Sequence, residues 1–107
     1  MSLVFVVTYY LGGGMLFLLN KTDSGAAETI KLLGGQEDRA LLLVQDAVYH
    51  SGGPMLKSFK EAGVEEIYAA QDALEERALK PESGVEAVDY ARMVELIMEE
   101  HDKVVCI

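Results

Sequence analysis

Two short apolar runs that end in the same tripeptide constrain this chain more than any other feature. Leu41-Leu42-Leu43-Val44 runs into Gln45-Asp46-Ala47, and Ile67-Tyr68-Ala69-Ala70 runs into Gln71-Asp72-Ala73. A bounded apolar run of this length fits a strand buried on both faces, as in a parallel sheet. Asp at the end of such a run can cap the next helix by accepting a bond from an unpaired backbone N–H. In open α/β sheets, ligands sit at the carboxyl ends of the strands. Gln45, Asp46, Gln71 and Asp72 are therefore expected along one edge of a sheet. They serve there either as helix caps or as a partner- or ligand-binding edge.

The remaining segments alternate in the same sense. Met15–Leu19 reads as a strand. Asp23 or Ser24 can cap a helix running to about Leu33, with Ala26, Ile30 and Leu33 on one face and Gly34 just past its end, free to take positive φ. Ala40–Val44 is a strand. The stretch Ala47–Lys60 is broken by Ser51-Gly52-Gly53-Pro54, and Pro54 suits the first turn of a short helix, Met55–Glu61. Val64–Ala69 is a strand and Ala73–Ala78 a short helix. Val85–Val88 is a strand, and Asp89 caps a helix Tyr90–His101 whose apolar stripe is Met93, Val94, Ile97 and Met98. The methionines read as core. Lys103–Ile107 is a terminal strand. This alternation predicts one α/β domain spanning 1–107, with a mainly parallel sheet and helices on both faces.

Charge and composition exclude several function classes. The formal net charge of −9 argues against direct binding of nucleic acid, which needs a basic stripe. Any RNA would have to be held by another subunit. The acidic pairs Glu65-Glu66, Glu75-Glu76 and Glu99-Glu100, with Glu61, read as solvated helix faces. No Gly-x-x-x-x-Gly-Lys-Ser/Thr loop and no Gly-x-Ser-x-Gly elbow occurs, and Gly12-Gly13-Gly14 and Gly52-Gly53 lack the lysine a phosphate loop needs. His50 and His101 lie far apart, with no metal-ligand spacing, so neither metal nor cofactor is expected. The single cysteine, Cys106, rules out an intramolecular disulfide and suits a reducing cytoplasm.

Residues 1–20 carry no charge, a length that approaches a membrane span. The glycine cluster, the half-polar Thr8-Tyr9-Tyr10 and the lack of a basic flank argue against a span or a signal peptide. Two strands, Leu3–Tyr9 and Met15–Leu19, separated by a glycine turn fit better. Alternatively Met15 is the natural start and 1–14 an extension. The apolar tilt and the uncharged run together suggest an oligomer, of this chain alone or with others.

The order of these pieces resembles the DsrH/TusB family of small sulfur-relay subunits. The matching residues are Met15-Leu16-Phe17-Leu18-Leu19-Asn20-Lys21, the stretch Leu41 to Tyr49, Ile67-Tyr68-Ala69 with Asp72-Ala73-Leu74 and Arg77, and Val88-Asp89-Tyr90. They cover about residues 15–107. The resemblance implies a three-layer α/β/α fold of the DsrE/DsrF/DsrH type, assembly with sister subunits, and transfer of persulfide sulfur for tRNA thiolation or sulfur oxidation. Two departures matter. Some members carry a cysteine near the first helix, and Lys21–Leu33 has none. Members often end in Trp, whereas this chain ends Val105-Cys106-Ile107. The chain therefore looks like a structural or regulatory subunit.

Cys106 is the one candidate persulfide carrier. A carrier needs an accessible thiolate. The apolar setting of Val104-Val105-Cys106-Ile107 predicts a buried thiol instead. Tyr49 and His50 follow the first Gln-Asp pair and join the candidate edge, His50 as a proton relay, a loop residue or an interface contact. Tyr9, Tyr10 and Tyr49 are candidates for an interface or for the core. Two function classes stand: a non-catalytic relay subunit, and a small-molecule-binding α/β module without sulfur transfer.

Overall fold

The computed structural model describes residues 14–23, 25–35, 37–101 and 103–107. The expected strand Leu3–Tyr9, and with it Tyr9 and Tyr10, lies outside them. The elements are β1 (Met15–Leu19), α1 (Ala26–Gly34), β2 (Arg39–Leu43), a 3₁₀ segment (Gln45–Ser51), α2 (Pro54–Glu61), β3 (Val64–Ala70), α3 (Gln71–Glu76), β4 (Val85–Val88), α4 (Tyr90–Met98) and β5 (Lys103–Cys106). The five strands form one sheet in the order β4-β3-β2-β1-β5, with every neighbour pair parallel. The predicted α/β/α architecture is thus the one observed.

The strand order decides the layering. The chain steps outwards from β1 to β4, then jumps back across β1 to place β5. Parallel crossovers are right-handed, so a reversal of direction along the sheet moves the connecting helix to the other face. One core accordingly packs Phe17, Leu19, Leu41, Leu43 and Ile67 against Ile30 of α1, Val48 of the 3₁₀ segment, Phe59 of α2 and Leu74 of α3. The second core packs Leu16, Ala40, Leu42, Tyr68 and Val88 against Leu96 of α4, with Met93 and Ile97 of the same helix partly buried beside it. Alternation along each strand makes this division, and β1 and β2 are apolar on both faces because both faces are covered.

Several predicted details shift, each for a local reason. Leu33 does not join the buried face of α1. It is 51% exposed, while Ala26, Ile30 and Gly34 are buried. The space beneath the last turn belongs to Arg39, whose guanidinium donates to the carbonyls of Gly35 and Ala62 and so gathers the ends of α1 and α2. A Cβ on Gly34 would stand 2.1 Å from Arg39 Nε. Gly34 therefore closes the helix, and the positive φ falls one residue later, at Gly35.

Helix α4 keeps its expected cap, with Asp89 accepting from Arg92 N at 2.8 Å. It ends three residues early, where the His101 ring nitrogen Nδ1 stands 2.9 Å from the Leu96 carbonyl, an acceptor the helix leaves open. Its stripe is rotated from the expectation. Leu96 is buried, Met93 and Ile97 are half-buried, and Val94 and Met98 are exposed, Met98 at 74%. With Leu96 facing the sheet, Val94 and Met98 fall about 160° and 200° round the helix and face away from it.

Candidate functional site at the carboxyl ends of the strands

Because all strands are parallel, Leu19, Leu43, Ala70 and Cys106 end on one edge, and the residues that follow β2 and β3 meet there. The capping reading of the two Gln-Asp pairs does not hold. The cap positions fall on Val44 and Ala70, neither with a side-chain bond, because the helical turns start directly at Gln45 and Gln71. Asp72 instead lies inside the first turn of α3 and accepts from Ala73 N at 2.8 Å. Asp46 is released to reach across the edge.

Its partner is Arg77, just past α3. Arg77 Nη2 and Nε donate to Asp46 Oδ1 at 2.8 and 3.2 Å, and Nη1 donates to the Ala73 carbonyl at 3.1 Å. The Tyr49 ring centroid lies 6.0 Å from the guanidinium carbon, at the limit of a cation–π contact. The Asp46 hydrogen bond, foremost, raises the Arg77 pKa above its ordinary value. Tyr49 is 52% exposed and Asp46 is exposed, whereas Arg77 is half-buried.

Gln45 stands beside it with φ of 52°, a left-handed conformation that a side chain of this kind adopts rarely. Gln45, Asp72 and Arg77 line one open cleft of about 330 Å³ with Val44, Ala70 and Met93 as its apolar part. Gln71 faces a neighbouring depression of about 220 Å³ beside Asp72 and Tyr90. The edge residues predicted from the sequence therefore come together in two groups that share Asp72. Arg77 and Met93 were missed as lining residues. Arg77 carried a signal, being placed four residues after Ala73 on the turn that Asp72 opens; Met93 comes from the opposite layer and carried none.

His50 turns away from this group. Its Nε2 accepts from Asp23 N at 3.3 Å, and its ring meets Phe59 edge-on. Burial lowers its pKa below 6.5, opposed by the nearby Asp23 carboxylate. It ties the loop after β1 to the 3₁₀ segment and holds a proton on Nδ1 to do so.

Cys106 corrects the expectation of a buried thiol, for it is exposed. It lies opposite Leu18 on β5, and among the described residues β5 pairs with β1 alone and no helix covers that corner of the sheet. An apolar sequence buries a side chain only where a second layer exists to cover it. Among the described residues no group of three or more His, Cys, Asp or Glu side chains is arranged to hold a metal ion. No described helix is long and apolar enough to cross a membrane.

The fold and this edge define a small α/β protein of the open parallel-sheet class, with polar side chains gathered at the strand ends. More specifically, the family model described as DsrH like protein matches residues 22–104, and the chain belongs to that family. A comparison with curated proteins found no match.

Proposed function

We propose that the chain is a non-catalytic or regulatory subunit of a sulfur-relay complex, serving persulfide transfer for tRNA thiolation or sulfur oxidation. Membership of the DsrH-like family supports a part in sulfur relay. The observation that carries the finer reading is the chemistry of the edge: an Asp46–Arg77–Tyr49 trio, its Asp46 and Tyr49 exposed, beside Gln45 and rich in hydrogen-bonding groups. Such a set recognises another surface, whereas persulfide chemistry needs a thiolate. The partners are sister relay subunits or further copies of this chain, with no direct contact to nucleic acid at a net charge of −9. Handling of free thiols and persulfides supports a reducing cytoplasm as the setting of this proposed role.

The test is co-expression with DsrE-like and DsrF-like subunits followed by native mass spectrometry. A complex that weakens in Asp46→Ala and Arg77→Ala supports the reading, and no association with either subunit overturns it. Exposure reopens the role of Cys106. A non-catalytic subunit keeps thiolation activity in Cys106→Ser and gains no persulfide mass on that residue. The opposite result makes the chain a carrier. The cleft lined by Gln45, Asp72, Arg77 and Met93 favours a second reading, a small-molecule-binding module. A ligand retained by the pure chain in native mass spectrometry would decide for it.

A further inference from the structure

The loop that joins β1 to α1, residues 20–25, leaves the carboxyl end of β1 on the same side of the sheet as the candidate edge. Asn20, Lys21 and Thr22 are exposed. Among the described residues, one hydrogen bond fastens this loop to an element other than α1: Asp23 N–H donates to His50 Nε2 at 3.3 Å. The Asp23 carboxylate turns back on its own loop and accepts from Gly25 N at 2.9 Å. His50 is better anchored than the loop it holds. Its ring is half-buried and meets Phe59 of α2 edge-on. The 3₁₀ segment that carries it is buried at Ala47, Val48 and Ser51. Glu82, from the loop before β4, accepts from Gly53 N just past that segment. An anchored ring thus holds an exposed loop through a single bond.

We infer that His50 and Asp23 form an acid-operated latch on this loop. Neutral His50 accepts from Asp23 N–H and holds the loop closed. A proton taken from solvent onto Nε2 turns that acceptor into a donor. Two N–H groups then face each other and neither can accept. The Asp23 carboxylate is the charged group that acts on the ring. It draws the new donor to itself, in a charge-assisted bond stronger than the one lost. The exchange frees Asp23 N–H and pulls the carboxylate from Gly25 N, at the entry to α1. Burial lowers the His50 pKa, with Asp23 opposing, so the latch is closed at neutral pH and opens in acid. Other charges on the packed elements are engaged or exposed. Asp46 pairs with Arg77 and Glu82 holds Gly53 N, while Lys21 of the loop and Lys57 and Lys60 of α2 are exposed. Tyr49, next to His50, belongs to the edge trio. Use of the latch to alter what the edge presents rests on the proposed subunit role; the latch itself does not.

The test is an NMR titration of the isotope-labelled full chain from about pH 7.5 to about pH 5. The His50 ring signals give its midpoint, and hydrogen exchange gives the protection of each amide. Protection of Asp23 N–H and Gly25 N–H should fall at least about tenfold across that midpoint, while the amides of β2 and β3 keep theirs. His50→Gln keeps an acceptor for Asp23 N–H and cannot take the charge, so the fall should disappear. Asp23→Asn keeps an acceptor for Gly25 N–H and removes the carboxylate charge, so the midpoint should move to lower pH. Any of four results overturns the inference. The loop amides do not follow the His50 midpoint; the fall survives in His50→Gln; the midpoint stays put in Asp23→Asn; or β2 and β3 lose protection equally, which is unfolding of the whole chain. Every readout comes from the chain alone, so the lack of a relay partner would sink the subunit role and leave the latch standing.

Discussion

Gln45 allows folding and the proposed recognition to be tested apart at a single residue. Its positive φ costs roughly 1 kcal/mol, which glycine would not incur. Glycine also loses more freedom on folding, so Gln45→Gly is expected to leave stability within about 1 kcal/mol of wild type. Gln45→Val should lose at least that much, since a β-branched residue tolerates this conformation worst. Urea denaturation measures both. If Gln45→Gly also weakens assembly at unchanged stability, the amide is there for its partner. His50 yields a pH signature. Its folded pKa lies below 6.5 because burial disfavours the imidazolium, so the unfolded chain takes up a proton first. The stability from neutral His50 is present above 6.5 and is lost as pH falls from there through the folded pKa. Urea midpoints at about pH 7.5 and about pH 5.5 should fall for the wild type and fall less for His50→Gln, which keeps an acceptor for Asp23 N.

At the scale of elements, the caps and the glycine contacts decide where helices stop. Asp89 satisfies one open N–H of α4, and Asp89→Ala should cost about 1 kcal/mol in a denaturant titration. No loss would mean that tertiary packing alone sets the start of α4. Gly34 is constrained by contact with another side chain. Gly34→Ala drives a methyl group into Arg39 and should cost about 1–3 kcal/mol, and removing the guanidinium as well in Gly34→Ala/Arg39→Ala should recover part of the loss from the clash. If the double variant is no better than the sum of the single changes, the arginine is mobile and the contact is not what ends α1.

For the whole molecule, the two faces of the sheet differ in how fully they are covered. The better-covered face centres on Phe17 and Phe59, both fully buried. Phe59→Ala should cost about 3–5 kcal/mol. Against a total of about 5–15 kcal/mol for a domain, the thermal transition should drop steeply or vanish. A melt like that of wild type would show that the helices of this face are not what holds the sheet.

The sequence by itself determined the elements and their order, because each is specified by neighbours along the chain. Met15–Leu19 and Val85–Val88 appear with the expected bounds, and Pro54 and Asp89 begin their helices as read. It also placed Gln45, Asp46, Gln71 and Asp72 on one edge, since parallel strands end together. Only the tertiary structure decided what those groups do. Asp46 turns from a cap into the partner of Arg77, 31 residues away, and His50 turns inward to Asp23. Burial was decided at the same level. Cys106 and Met98 sit in apolar runs, yet both are exposed: Met98 lies on the side of α4 away from the sheet, and among the described residues the strand order sends one helix alone to the face that carries Cys106. Local pattern states which side chains prefer to leave water. Whether a layer exists to receive them depends on the crossover between β4 and β5, and no window of sequence contains it.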